Sequence, residues 1–395
     1  MRVLFLTHRL PYAPNRGDRV RAYHLLRVLS GRAEVDLLSL VHDADEAAHA
    51  SDLEPLAASV TAIPVPRFLN TLRSAAFLPS SRPTTHTMLD APELAGALAS
   101  LARRSPDVVL AYCSGMARCA LEPALHDRPL VLDMVDVDSA KWSALAERHR
   151  PPRSWVYARE ARVLRAFEAS AAAHAVTTMV VTDKERQTMA RLAPSARVEV
   201  VPNGVDAARL RPAARPSGEP LVVFCGVMNY APNEEAVTWF AREVWPRVIA
   251  KRADARFDII GSSPTTAVRG LAGPDTNITV VGAVPDVTPH LWKAAVSVAP
   301  LQTARGIQNK VLEAVAAGLP TVVTPIVSEG LPGLVLSACQ VAGSPQAFAD
   351  AVLTYLEWTP ERRRELALDV DFSSLSWDRT LAPVHDILAQ AALRA

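Results

Sequence analysis

Short apolar runs of strand length alternate along the chain with segments whose apolar residues recur every three to four positions. Residues 3–6, 35–40, 60–64, 108–111, 130–134, 175–181 and 198–201 form one series of β-rich runs. A second series follows a Pro- and Arg-rich stretch and covers residues 221–226, 257–261, 278–282, 296–300 and 321–324. Strands alternating with helical patterns predict parallel α/β sheets, and the restart of the series predicts two of them. The chain reads as a first Rossmann-like domain at 1–205, a linker at 206–220, a second at 221–371 and a terminal helical segment at 372–395. Ligands of such sheets bind beyond the carboxyl ends of the strands. Two facing sheets imply a cleft with the two substrates on opposite walls.

The densest chemistry lies at 304–323, ARGIQNKVLEAVAAGLPTVV. Val311, Leu312, Val315 and Ala316 share one side of a predicted helix, Gly306 stands at its entrance, and Gly318-Leu319-Pro320 ends it. The first amides of a helix lack internal partners, so a glycine entrance at a helix N-terminus is an anion site. Glu313, deeper in the same helix, is placed to accept hydrogen bonds from a ribose diol. Together these features would hold a nucleotide at both ends.

This stretch resembles the nucleotide-sugar motif of the GT-B glycosyltransferases of family 4, in which two Glu residues stand eight apart within an LEAMAxGxPVV context. Glu313 matches the second Glu, and Arg305 occupies the place of the first. The variant ARGIQNKVLEA resembles a subgroup of sugar transferases associated with exosortase-linked exopolysaccharide systems. The resemblance extends along nearly the whole chain. It implies a GT-B fold with a terminal helix returning to the first domain, retention at the transferred sugar, and no metal or other cofactor. It also implies a glycan or polyprenyl-linked acceptor and a nucleotide-sugar donor, with UDP favoured.

Two further loops match the family. Gly226-Val227-Met228-Asn229 follows a strand and precedes a helix that Asn233 is expected to cap; the Arg and Lys that clamp pyrophosphate in many relatives are missing here. Arg305 and Lys310 are the candidates to supply that charge, with a guanidinium fork well suited to phosphate. Gly282-Ala283-Val284-Pro285-Asp286 places Val284 where the family meets the nucleobase, and Asp286 is also a natural helix cap. Gly261 ends another donor-side strand. The donor set is therefore Gly17, Gly226, Asn229, Gly261, Val284, Arg305, Gly306, Ile307, Gln308, Lys310 and Glu313.

After the first strand no GxGxxG appears, which disfavours a dinucleotide-dependent dehydrogenase. The loop matches the family's glycine loop at Pro11, Pro14, Gly17 and Arg21, and Asp18 is also a candidate cap. His8 matches a His of the exosortase-linked subgroup, while Cys113 and Ser114 stand where many relatives carry a catalytic-site His. Asp133, Asp136 and Asp138 cluster at a strand end with Ser139 and Lys141. Three readings stay open for the cluster: a polar acceptor wall, a capped helix start, or a divalent-ion pair of the kind used by the other glycosyltransferase fold. The catalytic set is His8, Asp136, Asp138 and Arg305. A sugar-nucleotide 2-epimerase of the same fold and a non-catalytic nucleotide-sugar-binding protein are the alternatives.

Composition narrows the partners. The chain has 395 residues, is 49% hydrophobic and carries a formal charge of +1, so no overall field argues for nucleic acid. Four cysteines without CxxC spacing read as reduced thiols. The run at 3–6 is too short for a signal-peptide core, and no run reaches the length of a membrane span. A cytoplasmic protein is expected, with any contact to the inner membrane face peripheral. Residues 141–165 are rich in cations interleaved with Trp142, Trp155 and Tyr157; Trp155, Arg159, Arg162 and Arg165 fall near one helix face that would suit anionic headgroups or simply be solvated. Residues 68–78 form a second amphipathic candidate, for an acceptor entrance or for core packing.

Overall fold

The computed structural model describes residues 1–12, 17–212, 216–273, 275–304 and 306–394, with the backbone alone for Gly17 and Asp18. The chain divides into two compact units, residues 1–203 with 380–395, and residues 204–379. The stretch expected as a linker and the segment 372–379 thus lie within the second unit.

The first unit is built on seven parallel strands: β1 (Arg2–Thr7), β2 (Glu34–Val41), β3 (Ser59–Pro64), β4 (Val108–Tyr112), β5 (Leu130–Val135), β6 (Thr177–Val180) and β7 (Val198–Val200). Their order is β3-β2-β1-β4-β5-β6-β7. The central strands β1 and β4 are buried almost throughout, as expected of strands covered on both faces. The Ala382–Ala392 helix packs Val384, Ile387, Leu388 and Ala391 inward, beside β4 and β5. A buried ion pair crosses this core. Arg21 donates to both oxygens of Asp133, at 2.8 and 3.3 Å, and its remaining nitrogen donates to Asn203 Oδ1 at 3.1 Å and to the Pro202 carbonyl at 3.3 Å. Arg21 and Asp133, both read as parts of functional loops, therefore hold the interior together.

The second unit carries six parallel strands: β8 (Leu221–Cys225), β9 (Arg256–Ile260), β10 (Ile278–Gly282), β11 (Val296–Ala299), β12 (Thr321–Val323) and β13 (Cys339–Val341), in the order β10-β9-β8-β11-β12-β13. The fold is the doubly wound α/β arrangement expected. β13 was not foreseen: it is three residues long, with Gln340 in its middle and Val341 exposed. The core is aromatic. Phe240 lies 4.7 Å from Phe257 and 5.8 Å from Phe348, and Trp245 donates its indole N–H to the Thr276 carbonyl at 2.7 Å.

In each sheet the strand order reverses at one place, between β1 and β4 in the first and between β8 and β11 in the second. At such a switch the following loops diverge to opposite faces and leave a crevice at the strand ends. The candidate residues gather at these two places.

Candidate functional site

In the second unit the loop after β8 and the helix after β11 meet. Burial of Val311, Leu312, Ala314, Val315 and Ala316 fixes the orientation of the Asn309–Ala316 helix. Lys310, in its first turn, reaches across the switch point. Its ammonium donates to Asn233 Oδ1 at 2.6 Å and lies 4.4 Å from the centroid of the Phe224 ring. Asn233 in turn donates to the Val227 carbonyl at 2.9 Å, fixing the loop. Asn233 was expected to cap the following helix and does not: the helix starts at Ala231 with Tyr230 in the cap position, and the buried Asn233 amide instead ties that helix to Lys310.

Gly226 and Gly261 leave no room for side chains. A Cβ on Gly226 would stand 2.7 Å from Asn233 Nδ2 and 3.1 Å from Lys310 Nζ. A Cβ on Gly261 would stand 1.7 Å from the Gly226 carbonyl oxygen, and Gly261 has φ +149°. The Gly226 amide donates to the Ile260 carbonyl at 3.0 Å and the Gly261 amide to the Gly282 carbonyl at 2.8 Å. The ends of β8, β9 and β10 are thus laced into one backbone surface. At the helix entrance Gly306 has φ +60°, and a Cβ on Gly330 would meet its carbonyl oxygen at 2.3 Å.

Glu313 lies one turn beyond Lys310. Burial pushes its carboxyl up to about 7, opposed by the positive charges of Arg209 and Lys310. Burial pulls Lys310 down to about 8, opposed by Cys225 and Glu313. The helix thus presents a carboxylate and an ammonium, both half-buried, at the end of the sheet. Each would gain from a ligand that bonds its charged form. Arg209 also lies 4.0 Å from Asp286. Asp286 accepts from the Thr288 amide at 3.0 Å and hydroxyl at 2.7 Å; it supports the turn at Val284, while Val287 holds the cap position itself. Val284 and Ile307 pack half-buried against the core, and Asn229 is exposed. Arg305 lies outside the described residues.

In the first unit the residues after β1 and β4 meet. His8 stacks on Tyr112, with centroids 5.8 Å apart and planes 4° from parallel, and its Nδ1 lies 3.4 Å from Cys113 Sγ. Cys113 has φ +67° and Val135 φ +63°, a region that non-glycine residues seldom occupy, so the ends of β4 and β5 are held in strained turns. Burial pushes the Cys113 thiol up to about 12, with the Asp138 charge adding to it, so it is a neutral thiol beside His8. Glu46 anchors the loop that follows β1: its buried carboxylate accepts from the Leu10 amide at 3.1 Å and the His42 amide at 2.9 Å, and pairs with Arg9 and Arg19. Gly17 is the first residue of the Gly17–Ser30 helix; Pro14 lies outside the described residues.

The acidic cluster after β5 separates. Asp133 belongs to the core pair with Arg21. Asp138 accepts from Ser114 Oγ at 2.9 Å, while Asp136 stands half-buried in the turn. Ser139, which the acceptor-wall reading turned toward a ligand, points inward instead: its amide and hydroxyl donate to the buried Glu168 at 3.1 and 2.5 Å. Burial, reinforced by the Asp138 charge, pushes Glu168 up to about 8. No three His, Cys, Asp or Glu side chains among the described residues are grouped so as to hold a metal ion. Asn233, Arg209 and Glu168 were not singled out in the sequence as parts of either site. Their signals are contacts with residues distant in the chain.

Residues 219–357 match the family model described as glycosyl transferases group 1, and residues 16–204 match the glycosyl transferase 4-like domain. No curated protein gives a significant match. Among solved structures the chain is similar to a sucrose-phosphate synthase from Thermosynechococcus elongatus, at TM-score 0.71 and 14% identity over 100% of both chains. It is similar to Anabaena HepE in complex with UDP-glucose, at TM-score 0.62 and 14% identity over 100% of this chain and 99% of that one. A Listeria monocytogenes protein described as a putative UDP-N-acetylglucosamine 2-epimerase follows at TM-score 0.58 and 12% identity, over 99% and 97%. At these identities the likeness is one of fold.

Proposed function

Since the chain belongs to the GT-B glycosyltransferases, we propose that it transfers a sugar, with retention, from a UDP-sugar to a glycan or polyprenyl-linked glycan in exopolysaccharide assembly. The observation that carries the donor side is the pairing of Lys310 with the Gly226 loop, with Glu313 one turn further along the same helix. In this reading Glu313 accepts from the ribose hydroxyls. Lys310, Arg305 and the Gly306–Gln308 amides meet the diphosphate, and the turn at Val284 meets the base. UDP is favoured because HepE was solved with UDP-glucose on a similar fold. The exopolysaccharide role rests on the likeness of ARGIQNKVLEA to the exosortase-linked subgroup.

The chemistry asks for placement and charge more than for a nucleophile. The bond from the anomeric carbon to the donor phosphate oxygen breaks, and a bond to the acceptor hydroxyl oxygen forms. The acceptor proton passes to the leaving diphosphate, whose charge Lys310 and Arg305 offset. His8, Asp136 and Asp138 are assigned to the acceptor. No metal is assigned a step.

A calorimetric panel of UDP-, GDP- and ADP-sugars tests the donor reading. A UDP-sugar is expected to bind, and Glu313→Ala to weaken UDP and uridine alike by roughly tenfold or more, the loss of a hydrogen bond to a charged group. Incubation without acceptor is expected to leave the sugar configuration unchanged, which separates transfer from epimerisation. A folded protein that binds no nucleotide would overturn the proposal.

A further inference from the structure

The Arg67–Ala76 helix is built inside out. Amphipathic helices of globular proteins turn their apolar stripe to the core. Here the buried residue is Asn70, fully enclosed and donating to the Asp90 carbonyl at 2.7 Å and the Met88 carbonyl at 3.3 Å. Phe68, Leu69 and Leu72 face outward, with Phe68 77% and Leu72 58% exposed. The helix is held by a polar anchor while its hydrophobic row is left outside.

A second element of the same unit is tied to the end of this helix. Arg159, on the Arg153–His174 helix, donates to the carbonyls of Phe77, Ser80 and Arg82 at 3.1, 2.5 and 2.7 Å and pairs with Glu160 at 2.9 Å. Arg159 therefore ties its own helix to the turn that follows the Arg67–Ala76 helix, and it does not face outward as its helical spacing suggested. One turn before it, Trp155 is 69% exposed beside Val156. Glu160 is buried under the same junction, accepting from the amides of Thr84 and Thr85 at 3.0 and 2.9 Å. Six of the eleven exposed large hydrophobic side chains among the described residues, Phe68, Leu69, Leu72, Phe77, Trp155 and Val156, thus belong to one joined region.

The rim is of one sign. No Asp or Glu occurs at 65–89 or at 148–159, and Arg67, Arg73, Arg150 and Arg153 are exposed there. Apolar anchors ringed by arginine match an anionic lipid surface, in which the rings and aliphatic chains enter the acyl boundary and the guanidinium groups meet phosphate. A second copy fits less well: two-fold pairing would set the same basic rim against itself.

We propose that the Arg67–Ala76 helix, with the Trp155 turn braced against it by Arg159, is a docking surface for an anionic membrane leaflet. The surface lies in the first unit, shares no residue with the donor site, and stands whether or not the donor reading holds.

The test uses the full chain and vesicles of phosphatidylcholine with and without phosphatidylglycerol. Sedimentation with the anionic vesicles is expected, falling as salt is raised. Phe68→Ser with Leu72→Ser, and separately Arg67→Glu with Arg73→Glu, are each expected to reduce the bound fraction by at least about tenfold in partition coefficient. All four side chains are exposed, so the thermal midpoint should not move, and UDP affinity should be unchanged. Brominated lipid should quench tryptophan fluorescence in the wild type and much less in Trp155→Phe. The proposal is overturned if anionic vesicles bind no better than neutral ones, or if the serine pair binds as well as the wild type. It is also overturned if the patch instead supports a concentration-dependent dimer that the serine pair abolishes.

Discussion

Replacing Lys310 by methionine removes an ammonium while keeping an unbranched chain over the Phe224 ring. That ammonium sits 2.6 Å from Asn233 Oδ1 and beside the Gly226 loop, where a donor diphosphate would lie. A charge-assisted hydrogen bond to phosphate is worth ~1.5–3 kcal/mol, roughly 10- to 150-fold in Kd. Uridine carries no phosphate, so its affinity should hold while that of UDP falls. The pH dependence follows from burial, which lowers Lys310 to about 8. In the free protein the ammonium loses its proton as the pH rises through that value. A bound diphosphate stabilises the charged form, so UDP affinity should fall above about pH 8 with proton uptake on binding, and Lys310→Met should show neither effect. Glu313, at about 7, is largely ionised across that window and adds little slope. Stability should change little. The folded value lies below the unfolded 10.5, so the charged lysine is a burden at neutral pH that lifts as the pH climbs from about 8 towards 10.5. Removing that burden offsets the partner lost by Asn233. Titration calorimetry of UDP and uridine, in buffers of different ionisation heat, decides the matter. A UDP affinity within about twofold of wild type, or an equal loss for uridine, would refute the assignment.

Three further outcomes are expected. Gly261→Ala should lower both thermal midpoint and UDP affinity, because its Cβ would stand 1.7 Å from the backbone oxygen of Gly226 and neither strand end can yield as a side chain does; a loss of about 1–3 kcal/mol or more is expected in denaturant titration. Glu168 is raised to about 8 from 4.5, so its contribution to stability is full below about 4.5 and is lost as the pH rises through 8; Glu168→Gln should flatten the dependence of the urea midpoint on pH in that window. Asp133→Ala leaves the Arg21 guanidinium buried without its carboxylate and should cost about 3–5 kcal/mol, whereas Arg21→Met with Asp133→Leu should cost clearly less than the two single changes summed.

The sheets were legible in the sequence because alternation between strand-length apolar runs and helical spacing is a local property. β13 escaped because a three-residue strand at a sheet edge, with a polar centre, carries almost no period. Glu313, Lys310 and the glycines were legible as candidates by their place after strands, but the reasons for them were not. Gly261 must be glycine because of Gly226, 35 positions earlier, and nothing near 261 in the chain reports that. Arg159 read as an outward-facing cation from helical spacing, yet its neighbours are carbonyls about 80 residues earlier. Ser139 faces a ligand in the acceptor-wall reading of its cluster, yet its partner is Glu168 on the next long helix.

The Gly226 loop shows most clearly what local reading misses. Counted along the chain, this loop holds neither Arg nor Lys, which reads as a deficit of positive charge at a phosphate site. The sheet order sets β8 beside β11, so the helix after β11 starts next to the loop after β8, and Lys310 together with Asn233 crowds the space that a side chain on Gly226 would occupy. The charge is present and comes from a different element. Asn233 makes the transfer exact by holding both the loop carbonyl at Val227 and the ammonium. In this chain the glycine at 226, the amide at 233 and the lysine at 310 constrain one another: a side chain at 226 would displace the lysine, and loss of the amide would leave a buried ammonium without its oxygen. They should be varied together, since a cation moved back into the loop at its exposed position, as in Asn229→Lys, is expected to restore UDP binding to Lys310→Met only if the loop keeps its Asn233 tie.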